Sequence, residues 1–197
     1  MRGIRLHIIM LMSALLGLVL FACAGGTKME GPDMEMYYRA LKDTEPDKVR
    51  LMEPGTALEE AAVKRFTDFY AHFTAAKISA ELDALYDEDA YFQDGFRQVR
   101  SREAIRAYFL GSTEPVQECT FSVLDVAHSH GNYYFRWIMR LTVKRKPHDL
   151  IELPGMSHVR FNDQGRIVFH HDYWETAAFY EHLPVIGSII RWIKNRI

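Results

Sequence analysis

The stretch from Tyr133 to Lys146 constrains this chain most, because its apolar residues alternate with a period of two. Phe135, Trp137, Met139, Leu141 and Val143 fall on one face, and Arg136, Ile138, Arg140 and Thr142 on the other. Successive side chains of a strand point to opposite sides of its sheet, so this pattern is a strand with one buried face. It needs neighbouring strands and a cover. Val116 to His128 is apolar and β-branched, and Gly131-Asn132 signals a tight turn between the two. Met156 to Phe161 reads as the next strand, Asn162 to Gly165 as a turn, and Arg166 to Trp174 as the last strand.

The cover comes from upstream. The folded part is expected to begin near Ala57, where Phe66, Phe69, Tyr70 and Phe73 recur at three and four and mark an amphipathic helix. A break near Ala75-Ala76 precedes a second helix, capped by Ser79 and carrying Leu82 and Leu85. Tyr91-Phe92 lies in a short strand ending at Asp94-Gly95, and a third helix runs from Ser101 to Gly111 through Ile105, Tyr108 and Phe109. Helices first and an antiparallel meander after them predict an α+β domain, its helices on the concave face of one curved sheet. With 197 residues, 48% of them hydrophobic, the chain can bury one real core.

The first residues read as an export signal. Arg2 and Arg5 precede an apolar run from Ile8 to Phe21, too short for an ordinary membrane span, and Leu20-Phe21-Ala22-Cys23 follows. That ending resembles a bacterial lipobox. The resemblance implies cleavage after Ala22, acylation of Cys23 and a lipid-anchored protein of the cell envelope, in the outer rather than the inner membrane because Ala24 is not Asp. An ordinary secretory signal or an uncleaved anchor is the alternative. The expected layout is a signal at 1–22, a tether at 23–56 with a short helix from Asp33 to Lys42, the domain at 57–182, and an amphipathic helix at 183–197. Ile186, Ile189, Ile190, Ile193 and Ile197 share a stripe on that last helix, with Trp192, Arg191, Lys194 and Arg196 beside it. Such a stripe packs on protein, its own or a second subunit's, or lies in a lipid headgroup layer.

Several function classes fall away. Loss of the signal leaves 22 basic against 26 acidic residues, with no basic stripe for nucleic acid. No glycine-rich phosphate loop, Gly-x-Ser-x-Gly elbow or His-Glu-x-x-His is present. His128, His130, His170 and His171 lack a further ligand at metal spacing, so neither metal nor cofactor is expected. With Cys23 acylated, Cys119 stands alone and reads as a small apolar core residue.

Four segments carry a family resemblance: Leu85-Tyr86-Asp87-Glu88-Asp89-Ala90 with Phe92-Gln93-Asp94; Arg102 to Phe109; Phe161 to Ile167; and His171-Asp172-Tyr173-Trp174-Glu175. In that order they resemble the SnoaL-like branch of the nuclear-transport-factor-2-like superfamily, over residues 60 to 180. The resemblance implies a cone-shaped domain with an apolar pocket, often dimeric through its sheet. Aligned with ketosteroid isomerases, Asp94 falls on the general base, Tyr70 on an oxyanion donor, and Ser157 where the family has a protonated Asp. Aligned with limonene epoxide hydrolases, Asp172 falls on a catalytic Asp and Arg136 on the bridging Arg, but Ile138 stands where the second Asp belongs. Both templates are incomplete.

The residues themselves allow two readings at each position. A carboxyl in an aromatic pocket is disfavoured as an ion and becomes a useful acid or base, so Asp94 with Tyr70 as donor suits proton transfer beside a carbonyl. Alternatively, Asp94 caps the turn at Gly95 and Tyr70 is core. Asp172 holds substrate or pairs with Arg136 or Arg140 across the sheet. Tyr91, Arg136, Ser157 and Trp174 are the expected ligand contacts, and a small apolar or lipid-derived molecule is the expected partner.

Overall fold

The computed structural model describes residues 33–183 and 185–196. The signal, the lipobox cysteine Cys23 and Ile197 lie outside the described residues. Helices α1 (Met34–Asp43), α2 (Ala57–Ala71) and α3 (Ala75–Leu85) come first. Strands β1 (Tyr86–Gln93) and β2 (Gln98–Arg100) form a hairpin, followed by helix α4 (Arg102–Thr113). Then come β3 (Val116–Ser129), β4 (Asn132–Val143), β5 (Lys146–Phe161) and β6 (Ile167–Trp174), and finally helices α5 (Thr176–Tyr180) and α6 (Ile186–Lys194).

The strands form one open sheet in the order β2-β1-β6-β5-β4-β3. Every pairing is antiparallel except β1 with β6, which run parallel. Register shifts interrupt β3 against β4 and β5 against β6, and such bulges bend the strands that carry them. Helices α2, α3 and α4 pack on the concave side, with Phe66, Phe69, Ile78, Leu82, Ile105 and Phe109 buried against Phe135, Val159 and Phe161.

Local chemistry sets the helix starts. Thr56 caps α2 by accepting the Glu59 amide at 3.2 Å, while Glu59 reaches back to the Gly55 amide. Thr74, not Ser79, caps α3; Ser79 sits one turn inside and donates to the Ala75 carbonyl at 2.9 Å. The turn between β3 and β4 centres on His130 and Gly131, one residue earlier than expected. Both have positive φ, 48° and 75°, as a two-residue hairpin of this twist requires.

Two larger differences matter for the site. β5 begins at Lys146 rather than Met156. Pairing with β6 starts only at Gly155, so Lys146–Pro154 runs along an open edge that tolerates Pro147 and Pro154. The described part of the expected tether, 33–56, is also not a bare linker. α1 lies on the sheet's other face, where Ala40 is buried with Tyr91 and Phe169. Arg160 ties its end down by donating to the Leu41 carbonyl at 2.7 Å and to Thr44 Oγ1 at 2.9 Å. Met52 is buried in the main core. The folded unit therefore starts at Met34.

On α6, Ile186, Ile189, Trp192 and Ile193 are exposed, so this side of the stripe is not packed on the described domain. Arg191 donates to the Glu181 carbonyl, Lys194 pairs with the Glu181 carboxylate, and Arg196 lies over the Trp192 ring. Among the described residues no helix is long and apolar enough to cross a membrane.

Candidate active site

A cavity of about 270 Å³ opens between the concave face and α2, α4 and α5. Trp137, Met139, Leu141 and Val143 of β4 line its floor, as their shared strand face predicts. Tyr70 and Phe73 close one side, Tyr108 and Phe109 of α4 another. Phe96, Trp174 and Phe179 meet edge to face at the rim, with ring centres 5.2 to 5.8 Å apart. Among the described residues two carboxyls reach this wall, Asp94 and Asp172.

Asp94 leaves the end of β1 with its side chain spread between two tasks. Oδ1 accepts the Phe96 and Arg97 amides at 2.7 and 2.8 Å, closing the β1–β2 turn. Oδ2 accepts the Tyr108 hydroxyl at 2.6 Å. Burial pushes the Asp94 pKa above the usual carboxylate value; the Tyr108 and amide bonds resist the rise, and the charge of Asp172 adds to it. Asp94 is thus both turn cap and cavity acid. Its donor is Tyr108, which comes from the helix that crosses over the β1 end, and not Tyr70.

Tyr70 belongs to a second group. Its hydroxyl stands 2.7 Å from the Tyr86 hydroxyl, which lies 2.6 Å from His170 Nδ1. His170 Nε2 is 2.8 Å from Asp172 Oδ1, and Ser157 donates to the same oxygen at 2.5 Å. Trp137 Nε1 donates to Ser157 Oγ at 2.9 Å. A ring protonated on Nε2 donates to Asp172 and accepts the Tyr86 hydroxyl at Nδ1. Both ends of this chain, Tyr70 and Asp172, line the cavity. Burial raises the Tyr70 and Tyr86 pKa values well above normal, so both remain phenols.

Of the expected site residues, Asp94, Tyr70, Asp172 and Trp174 line the cavity and Ser157 stands behind it. Arg136 and Tyr91 do not reach it. Arg136 is on the outward face of β4 and pairs with Asp125 across the strand, while Arg140 pairs with Glu152 at 2.7 Å. Neither arginine meets Asp172, because residues at even positions of β4 face away from Trp137. Tyr91 faces α1, stacked on Phe169 at 5.2 Å, and its hydroxyl bonds Gln93 and Gln98. Tyr86, Tyr108 and His170 were not expected as polar partners. Alternation from Asp172 through His170 was the available signal for one of them. Tyr108 had none, since its hydroxyl meets Asp94 only after α4 folds back over β1. Among the described residues no group of three His, Cys, Asp or Glu side chains gathers to hold a metal.

An open, bent sheet wrapped around helices and an apolar hollow with an acid on its wall defines a domain of the nuclear-transport-factor-2-like kind. The SnoaL-like domain model matches residues 66–170, more than half of the chain, and the protein belongs to that family. Among solved structures, a candidate SnoaL-like polyketide cyclase from Jannaschia sp. CCS1 superposes with a TM-score of 0.57 at 10% identity, covering 68% of this chain and 98% of that one. A nuclear-transport-factor-2-like protein of unknown function from Burkholderia pseudomallei K96243 gives 0.56 at 14%, covering 66% and 100%. A limonene-epoxide-hydrolase-like enzyme of M. tuberculosis gives 0.52 at 15%, covering 65% and 90%. At such identities these likenesses speak for the fold alone. No curated protein matches the sequence.

Proposed function

We propose that this domain takes a small, largely apolar molecule into its cavity and transfers a proton on it, with Asp94 as the acid or base. The observation that carries this reading is the Asp94 carboxyl on the wall of a hollow that is otherwise almost wholly apolar, held there by Tyr108. A group whose pKa is lifted toward the working pH exchanges protons at useful rates, and an adjacent hydroxyl steadies the charge that develops. Two solved relatives of the same fold, the candidate cyclase and the epoxide hydrolase, are enzymes or candidate enzymes, which agrees with a catalytic use of such a hollow. Asp172, one residue beyond His171, the partner of Gln93 in the paired strand, holds the substrate beside Asp94.

The anchor belongs to the same proposal. The Leu20-Phe21-Ala22-Cys23 ending supports a mature chain that starts at an acylated Cys23 and sits on the envelope membrane. The exposed apolar side of α6, with Arg196 at its end, suits the headgroup layer of that membrane.

Native mass spectrometry of the full chain extracted from its own membrane reads both parts together. We expect the mass of an acylated chain beginning at Cys23, plus a bound small molecule that collisional activation releases. Turnover of that molecule should fall at least a hundredfold in Asp94→Asn with the ligand still bound. Undiminished turnover in Asp94→Asn would remove Asp94 from the chemistry, and an intact, unacylated N-terminus would remove the anchor.

A further inference from the structure

The cavity wall also constrains the charge of its occupant. Ten of the nineteen described residues on that wall are aromatic, and the only ionic side chains among them are the two acids. Among the described residues no Lys, Arg or His lines the wall. Basic groups adjoin the wall without lining it: His170 and His171 beside Asp172, Arg97, whose charge acts on Tyr108, and Lys144, which follows Val143 and donates its Nζ to the Glu114 carbonyl.

The two carboxyls differ in what is left for a ligand. Both oxygens of Asp94 are taken, Oδ1 by two backbone amides and Oδ2 by Tyr108. Asp172 accepts both of its bonds on Oδ1, from His170 and Ser157. Its Oδ2 accepts none from the described residues, and it is not one of the fully buried atoms left without a partner. It therefore keeps access to solvent on a residue that lines the hollow. Trp137, Trp174 and Phe121 stand on the same wall, with Phe121 and Trp137 edge to face at 5.1 Å.

We propose that the cavity selects an organic cation, an amine or quaternary ammonium on an apolar body, with its charge at Asp172 Oδ2 and among the rings. This rests on the cavity being the ligand site. An anion entering here meets two acids and no counter-charge. A neutral molecule without a donor strips water from Oδ2 and returns nothing to it, and one with a hydroxyl returns a hydrogen bond but no charge, so either leaves part of the desolvation cost in a dry site. A cation satisfies that oxygen, and the negative faces of aromatic rings attract it further.

The test uses three probes of one shape with the full chain: benzyltrimethylammonium, its carbon isostere neopentylbenzene, and the anion phenylmethanesulfonate. Binding is read by calorimetry and by the fluorescence of Trp137 and Trp174. The cation should bind at least tenfold tighter than the isostere, and the sulfonate should not bind. In Asp172→Asn the ratio of cation to isostere should fall severalfold, leaving only what Asp94 and the rings contribute, while the isostere still binds. Equal or tighter binding of the isostere by the unaltered protein overturns the charge selection and leaves the cavity reading standing. Binding of none of the three to the folded protein overturns both. The comparison on unaltered protein needs no variant, so it decides the charge selection even where Asp172→Asn fails to fold.

Discussion

Asp94 illustrates how one side chain serves structure and chemistry through different oxygens. Oδ1 holds a turn that any Asp could hold, whereas Oδ2 is aimed by Tyr108 at the hollow. The Tyr108 bond favours the ionised carboxyl, so it works against burial. Removing it must raise the Asp94 pKa. We expect Tyr108→Phe to move the Asp94 carboxyl titration, followed by carbon-13 NMR, to higher pH by about one unit, as loss of one charge-assisted bond implies. If Asp94 acts as a base, the acidic limb of the rate profile moves the same way. A titration that stays put would show that the hydroxyl does not govern this acid. Cys119 is a contrasting case: burial alone pushes its thiol up to about 12, which makes a poor nucleophile of a residue that also lines the cavity.

At the scale of elements, the floor of the cavity depends on a residue without a side chain. Gly155 of β5 lies opposite Trp137 of β4, and a Cβ there would stand 2.1 Å from the indole. The glycine lets the indole lie flat across β5, and in that pose its Nε1 reaches Ser157, which in turn holds Asp172. Gly155→Ala should therefore displace Trp137, destabilise the fold by about 1–3 kcal/mol as overpacking does, and loosen Asp172. Urea denaturation measures the first effect. A shift of indole emission in the folded protein measures the second. An unchanged denaturation midpoint would show that the indole has room to move. α1 acts on the other side of the sheet: it seals Tyr91 and Phe169 from water, and so keeps Tyr91 out of the site that its sequence neighbours enter.

The whole molecule carries an acid sensitivity that no one element explains. His158 and His171 are both held down to about 4, chiefly by burial, with the charges of Arg160 and neighbouring imidazoles assisting and Asp172 opposing at His171. An ordinary His titrates near 6.5. Between those values the unfolded chain binds protons that the folded chain refuses, so stability falls as the pH drops from about 6.5 to 4 and levels off below. Asp94, lifted above its ordinary value, opposes this in part. At about 1.4 kcal/mol per unit, discounted for partial exposure of His171, we expect a loss of about 2–4 kcal/mol between pH 7 and pH 4.5. Urea midpoints at the two pH values measure it. His158→Gln should flatten the slope, and an equally steep slope in that variant would place the sensitivity elsewhere.

Periodicity along the chain gave the order of the long helices and strands and the buried face of β4, because a period of two or of 3.6 is written in consecutive residues; the three-residue strand β2 and the five-residue helix α5 are too short to carry one. Family resemblance and strand faces named Asp94, Tyr70, Asp172, Tyr91, Arg136, Ser157 and Trp174 for one hollow, and four of them, Asp94, Tyr70, Asp172 and Trp174, line it. Which partner each would meet was decided only by the tertiary structure. Asp94 finds Tyr108 fourteen residues on, Tyr70 finds Tyr86 and His170, and Arg136 turns outward to Asp125. The short helix expected from Asp33 to Lys42 is there as α1, but residues 34–52 read as part of a tether, and they join the core because Ala40 and Met52 find apolar surface that exists only once the sheet is built. Local pattern encodes which way a side chain points. What it points at depends on chain segments brought near by folding, and that is a property of the assembled core.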